Sequence, residues 1–91
     1  MALFDLLGRR WALRVLWELR DTPPPTFRAL QQRCGGISSS VLADRLRELD
    51  EAAIVVRNEQ GYALTPAGRD LLARLRRLDD WATRWAPAPR E

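Results

Sequence analysis

Apolar side chains recur every three or four residues in the first part of the chain, which is the spacing of a helix with one buried face. A short apolar segment, Leu3 to Leu7, is separated by Gly8 from a longer one that begins at Arg9. The apolar residues of the longer segment share one side, and they are Trp11, Ala12, Val15, Leu16 and Leu19, widened by Leu13 and Trp17. Because proline cannot continue a helix, the three prolines after Thr22 end this pattern. We expect a short helix followed by a central, buried one.

Two further helical patterns are joined by Gly35-Gly36, which supplies a turn. The Thr26 hydroxyl is placed to cap the first helix, over about residues 27–33, and Ser38 is placed to cap the second, which extends to about Glu51. The second helix has the buried stripe Leu42, Leu46 and Leu49, and the outward residues Ser40, Asp44, Arg47 and Glu51. Two helices joined by a tight turn predict a helix-turn-helix core over about residues 26–51.

Alternating apolar and polar residues next predict two short strands, Ile54 to Arg57 and Tyr62 to Leu64. The four residues between them end in Gly61 and fit a hairpin loop. This hairpin is the expected wing, over about residues 54–64.

The last helix is expected over about residues 66–86, because Thr65-Pro66 combines a capping residue with a proline at the first helical position. Pro87-Ala88-Pro89 ends it. Its apolar residues alternate steps of four and three, and they are Leu71, Leu75, Leu78, Ala82 and Trp85. Such a stripe commonly faces another helix, either in a second copy of the chain or in the monomer's own core. Residues 1–91 are thus expected to form one mainly α domain with a small β-hairpin, in the order of a winged helix-turn-helix.

Length and composition agree with this. A chain of 91 residues has room for one domain and a small core. It is 46% hydrophobic and 30% charged, and no apolar run approaches the roughly 20 residues of a membrane span. A secretory leader is not expected, because Arg9 and Arg10 follow the apolar start instead of preceding it. We expect a cytoplasmic protein with no membrane partner.

The residue types that carry catalysis are nearly absent. Cys34 is the single cysteine and excludes an internal disulfide, and the chain contains no histidine for a metal site or for a Ser/His or Cys/His pair. We therefore expect no enzymatic activity and no cofactor. Cys34 is interpreted as a small buried hydrophobe at a helix end, with a thiol sensor as the alternative.

Five segments in order resemble the HxlR-type winged helix-turn-helix regulators, and they are Leu7-Gly8-Arg9-Arg10-Trp11, Gly36-Ile37-Ser38, Val41-Leu42, Arg45 to Leu49, and Tyr62 to Gly68. The resemblance covers nearly the whole chain. It implies a bacterial or archaeal homodimeric transcriptional regulator that binds double-stranded DNA, with the N-terminal and C-terminal helices forming the dimer. The interface residues expected on this basis are Leu3, Phe4, Leu7, Leu71, Leu75, Leu78, Ala82 and Trp85.

The chain departs from the family pattern at the surface expected to read DNA. Ser39 and Ser40 stand where the family usually has proline and lysine, and Asp44 stands where glutamine or a similar residue is common. The wing is short and carries Glu59 at its tip. The N-terminal cysteine of the redox-sensing members is missing, so their oxidation switch is not expected here.

Charge limits how DNA can be bound. All 15 basic residues are arginines, which suit phosphate recognition. Residues 34–65 nevertheless carry a net charge of −2, between segments 1–33 at +3 and 66–91 at +2. We therefore expect modest, steeply salt-dependent binding. The expected DNA-binding residues are Thr26, Arg28, Ser38, Ser39, Ser40, Asp44, Arg45, Arg47 and Arg57.

Each of these residues has a functional and a structural interpretation. Arg47 can donate two hydrogen bonds to guanine and Asp44 can accept one from cytosine, or the two can pair with each other on the helix surface. The serines either contact phosphate at the helix N-terminus or only cap the helix. Arg57 either approaches the minor-groove backbone or has no role with DNA.

The sequence leaves two possibilities for an effector that acts beside DNA. The four tryptophans either line a pocket for a small-molecule effector or pack in core and interface, and they are Trp11, Trp17, Trp81 and Trp85. A protein effector is the other possibility. The function expected is sequence-specific DNA binding by a homodimer. The alternative is an adaptor with weak or no DNA affinity, which binds a basic protein through Asp44, Glu48 and Glu51.

Overall fold

A computed structural model describes residues 2–85 of the chain. In this part, five helices and one hairpin follow the predicted order, and they are α1 (Ala2–Leu7), α2 (Ala12–Glu18), α3 (Phe27–Cys34), α4 (Ser39–Glu51), β1 (Val55–Arg57), β2 (Tyr62–Leu64) and α5 (Pro66–Trp85). The expected mainly α fold with a small β-hairpin is confirmed. The predicted helix end at Ala86 and the Pro87-Ala88-Pro89 tail lie outside the described residues. None of the described helices is both long and apolar enough to cross a membrane.

The core lies where α2, α3, α4 and the hairpin meet. Its most enclosed side chains are Val15, Leu16, Leu19, Leu30, Cys34, Leu42, Leu49 and Val55, each at most 2% exposed. Burying one such leucine or valine contributes roughly 1.5–3 kcal/mol, so a small number of them fixes how the helices pack. The buried residues of α4 are Leu42, Leu46 and Leu49, as its helical spacing predicts.

Helix α2 starts later and is less enclosed than its pattern predicts. It begins at Ala12 instead of Arg9, because Trp11 has a φ of 78° and therefore stands outside the helix. Leu13 and Trp17 do not widen the buried stripe, since they are 49% and 41% exposed. Both line a shallow apolar groove between α2 and α5. The apolar side of α2 is thus wider than the core of one chain can cover.

Both predicted caps of the helix-turn-helix are confirmed. Thr26 Oγ1 accepts a hydrogen bond from the Ala29 backbone N–H at 3.1 Å, and Ser38 Oγ accepts one from the Val41 N–H at 3.2 Å. Between the helices, the two residues of Gly35-Gly36 have φ values of 60° and 108°, which side chains disfavour. This turn directs the chain from α3 into α4.

The wing is attached to the segment that precedes α3. In the antiparallel hairpin, Arg57 lies opposite Tyr62, and the Asn58 side chain accepts a hydrogen bond from the Gly61 N–H at 3.0 Å. The Tyr62 N–H donates to the Pro25 carbonyl at 2.9 Å. Gly61 also lies against this carbonyl, so closely that a Cβ atom would overlap its oxygen. The wing is therefore held against the segment that precedes α3.

The apolar stripe of α5 divides into two halves. Leu71 and Leu75 pack against the chain's own core, next to the buried Leu72. Leu78 and Trp85, farther along the helix, are 59% and 63% exposed. The first half of α5 thus closes the core, and the second half presents large apolar side chains to solvent.

Candidate nucleic-acid interface

Helix α4 turns a polar face outward, next to the wing. The residues of this face are exposed, and they are Ser40, Asp44, Arg47 and Glu51, as the helical spacing predicts. The opposite side carries the three buried leucines, which hold the helix in place. A helix fixed in this way can present its outer side chains in a defined direction.

Arg47 lies between two carboxylates of its own helix. Its Nη2 atom is 3.5 Å from Asp44 Oδ1, and its Nη1 atom is 3.5 Å from Glu51 Oε1. The hydrogen bond to Asp44 and the charge of Glu51 raise the pKa of Arg47 above its ordinary value. All three side chains are more than half exposed, and such surface pairs contribute little to stability. The structural pairing of Asp44 with Arg47 is therefore present, and it leaves the guanidinium at the surface.

Arg45 is the least accessible of the predicted DNA contacts in this helix. Its Nε atom lies 3.3 Å from Glu48 Oε1, which also lies 3.7 Å from Arg9 Nε. The Arg45 and Glu48 side chains are only 14% and 17% exposed to solvent. Arg45 thus pairs with a carboxylate that also contacts the N-terminal segment.

The predicted hydroxyl contacts make local hydrogen bonds. Ser38 Oγ, which caps α4, lies 3.4 Å from Ser40 Oγ, and Gln31 Nε2 donates to Ser39 Oγ at 3.1 Å. Thr26 caps α3 in the same way. All four hydroxyl residues are exposed, and a hydroxyl can donate once and accept twice, so each keeps capacity for a further partner.

Arg57 lies on the wing, at a cleft of about 250 Å³ that α4 and the hairpin enclose. The charged residues that line this cleft are Arg47, Asp50 and Arg57. The guanidinium of Arg57 lies 5.6 Å from the centroid of the Tyr62 ring. The structure therefore brings two of the predicted arginines to one cleft, whereas Arg28 is an exposed residue of α3 outside its lining.

Two polar residues of this cleft, Asp50 and Tyr62, are absent from the DNA contacts that the sequence predicts. The strand pattern assigns Tyr62 only to the hairpin, and the helical pattern places Asp50 only near the end of α4. The signal for Tyr62 is present in the sequence, because a hairpin with a four-residue loop pairs Arg57 with Tyr62 directly. Asp50 has no comparable signal, since its place depends on how α4 packs against the wing.

The four tryptophans do not gather in one pocket of the described chain. Trp81 and Trp85 stack on each other, with ring centroids 5.3 Å apart. Trp17 lines the groove between α2 and α5, which has a volume of about 380 Å³, and Trp11 is partly buried against the core.

Cys34 is 2% exposed and belongs to the core. Burial is the main cause that raises the pKa of Cys34, the charge of Glu18 raises it further, and Arg14 acts in the opposite direction. Because the thiolate is the reactive form, this environment agrees with the interpretation of Cys34 as a small buried hydrophobe. Within residues 2–85, no group of three histidine, cysteine or acidic side chains could hold a metal ion.

Known proteins share this architecture. The chain is 34% identical over 86 residues to the HTH-type transcriptional regulator YodB of Bacillus subtilis, which covers 87% of this chain and 76% of YodB. It is 25% identical over 91 residues to MJ0925, an uncharacterized HTH-type transcriptional regulator of Methanocaldococcus jannaschii, covering 97% of this chain and 86% of that protein. The crystal structure of quinone-bound YodB from B. subtilis superposes with a TM-score of 0.84 at 35% identity, over 91% of this chain and 93% of the YodB chain.

These relatives are transcriptional regulators, and the solved structure has the same winged-helix fold. The model of the family described as HxlR-like helix-turn-helix matches residues 6–90. The matched range contains the helix-turn-helix, the wing and α5. The resemblance carried by the sequence motifs is thereby confirmed, and the chain belongs to the HxlR-like helix-turn-helix family.

Proposed function

We propose that this protein is a homodimeric regulator of transcription that binds double-stranded DNA sequence-specifically. The observation that carries this proposal is the outward face of α4, which is exposed over a 13-residue helix, capped at its start and flanked by the wing. The major groove of B-DNA admits one α-helix, and a capped helix held by buried leucines is suited to enter it. Membership of a family of transcriptional regulators supports the same function.

The positions of the exposed apolar residues support a dimer. Eight large hydrophobic side chains are exposed in the described part of the chain. Seven of them lie on α1, α2 and α5, and they are Leu3, Phe4, Leu13, Trp17, Leu78, Trp81 and Trp85. Large apolar side chains gathered on a few helices commonly mark a protein interface. We therefore infer that a second copy covers these helices, and that the dimer doubles the number of phosphate contacts.

A small-molecule effector belongs to the proposal as well. The relative YodB has been crystallised with a quinone bound. In this chain, the apolar groove beside Trp17 has a volume of about 380 Å³, which lies in the range of ligand sites. A protein effector is the alternative.

A regulator of this kind acts on chromosomal DNA, so we propose that it resides in the cytoplasm.

Anisotropy of labelled, mixed genomic DNA fragments tests DNA binding directly. We expect a complex at about 50 mM salt and a steep loss of affinity by about 200 mM, because bound arginines release counterions from phosphate. Arg69→Ala is the control variant and should bind DNA like the wild type, since this exposed arginine lies on α5 and not on α4 or the wing. Absence of any complex at the lower salt concentration would overturn the proposal.

A protein-binding adaptor is the second candidate, and the charges of α4 favour it. Asp44 and Glu51 flank Arg47, so these three residues of the outward face have a net charge of −1. Glu48, which was expected to join this acidic side, instead pairs with Arg45 and Arg9. An adaptor would form no complex with DNA at low salt, and Asp44→Asn would weaken its capture of a basic protein.

A further inference from the structure

We propose that the cleft between α4 and the wing binds one phosphate of the DNA backbone, and that the Tyr62 ring positions the Arg57 guanidinium to contact it. The inference rests on the proposed function, and it identifies where the backbone of the duplex meets the protein. A DNA phosphodiester carries one negative charge, so the site needs an arginine that no carboxylate occupies and that is held in place.

Arg57 supplies the donor. It is exposed on β1, and its guanidinium lies 5.6 Å from the centroid of the Tyr62 ring. No ion pair of the described residues involves Arg57, so its hydrogen-bond donors face no competing carboxylate within 4.0 Å. A free arginine loses much rotamer freedom when it binds a ligand. A cation–π contact with an aromatic face removes part of that freedom beforehand, which favours phosphate binding.

The Tyr62 backbone is attached to the segment before α3, and its ring lies beside one aromatic neighbour. The Tyr62 N–H donates to the Pro25 carbonyl at 2.9 Å, and Gly61 packs against the same carbonyl. The Tyr62 ring also lies 6.5 Å from the Phe27 ring, centroid to centroid, at an angle of 59°. The residue whose ring lies beneath Arg57 is therefore attached through its backbone to the segment that precedes α3.

The other charged residues of the cleft complete the site. Arg47 of α4 lines it together with Arg57, and Asp50 is the one carboxylate among the lining residues. Arg47 is already paired with Asp44 and Glu51, so Arg57 is the arginine of this lining whose charge no described ion pair compensates. Asp50 opposes the phosphate, so the site predicts that removing its charge strengthens binding.

A double-mutant cycle on a mixed-sequence duplex tests the role of Tyr62. We compare Arg57→Ala, Tyr62→Leu, the double variant and Tyr62→Phe by anisotropy between about 50 and 200 mM salt. Affinity falls as salt rises, so the slope of log K against log salt is negative. Arg57→Ala should make this slope less steep, by about 0.9 for each phosphate that Arg57 neutralises in the wild type. Tyr62→Leu should weaken binding roughly two- to fivefold, and Tyr62→Phe, which keeps the ring, should bind like the wild type. The double variant should bind no more weakly than Arg57→Ala alone.

The same cycle separates positioning from a structural role. If Tyr62→Leu weakens binding as much in the Arg57→Ala background as in the wild type, the ring acts on the fold and the inference is wrong. Wild-type affinity of Tyr62→Leu would also overturn it. A wild-type chain that forms no DNA complex would instead overturn the proposed function, and this inference with it.

A second pair of variants tests the cleft without altering Tyr62. Asp50→Asn should strengthen binding to every duplex by roughly two- to fivefold, because a like charge beside the phosphate is removed. Asp80→Asn is the matched control, since it makes the same charge change at an exposed position of α5. Equal effects of the two substitutions would mean that no phosphate lies in the cleft.

Discussion

Arg45 Nε and Glu48 Oε1 lie 3.3 Å apart, on side chains that are 14% and 17% exposed to solvent. Neither atom has a hydrogen-bond partner among the described residues, so the two groups interact through charge alone. The same Glu48 oxygen lies 3.7 Å from Arg9 Nε. One carboxylate thus lies between two arginines and connects α4 to the segment between α1 and α2.

Glu48→Gln should lower the free energy of unfolding by about 1–3 kcal/mol, because Arg45 then stays shielded from water without a counter-charge. Urea unfolding measures this. Glu51→Gln is the matched control on the same helix, since it breaks an exposed pair with Arg47 and should cost much less than Glu48→Gln. Equal losses in the two variants would contradict the shielded environment of Glu48.

The proposed dimer can be tested through Leu78, which is 59% exposed in the single chain. Sedimentation at micromolar concentration should report twice the chain mass of 10.5 kDa for the wild type, and Leu78→Glu should shift it toward the monomer because it buries a charge in the interface. Val56→Glu, at a 43% exposed position on the wing, should leave the dimer intact. A monodisperse wild-type monomer would show that the apolar helices have no second copy as partner.

Arg47 and Arg57 should affect DNA binding differently. If Arg47 contacts a base edge, Arg47→Ala should cost about 1–3 kcal/mol at the best site and relax the selectivity there. Arg57→Ala should weaken binding to all sequences by a similar factor, because phosphate is the same in each. Competition with duplexes that differ in single base pairs measures both. Equal, sequence-independent losses would mean that Arg47 contacts phosphate only.

Cys34 should make stability depend on pH in the alkaline range. Burial raises the pKa of Cys34 in the folded chain, so the folded state favours the protonated thiol. Its stabilising contribution is fully present below the unfolded pKa of about 8.5 and declines as the pH rises toward the higher folded-state value. Urea unfolding between pH 7 and pH 10 should show this decline in the wild type. Cys34→Ala, which has no titrating group there, should lose stability less steeply.

Local sequence signals were enough for the element order. Thr26, Ser38 and Thr65 each cap the helix predicted to follow them, because a hydroxyl at the first turn satisfies backbone N–H groups that no other residue of the helix can reach. The buried leucine stripe of α4 also followed from spacing, since the period of a helix decides which side chains share a face. Both signals act over a few residues, and no knowledge of distant contacts was needed.

The cleft and the apolar surface were decided by contacts between distant segments. Glu48 was expected on the outward acidic side, but Arg9, 39 positions earlier in the chain, lies close enough to attract it inward. Leu13 was expected in the core, but that core is filled by other side chains and leaves it 49% exposed. The spacing of α4 and the hairpin pattern therefore determined which residues face outward on each element. Only the packing of these elements decided which charges meet and which apolar side chains stay uncovered, because burial and ion pairing depend on neighbours that are remote in sequence.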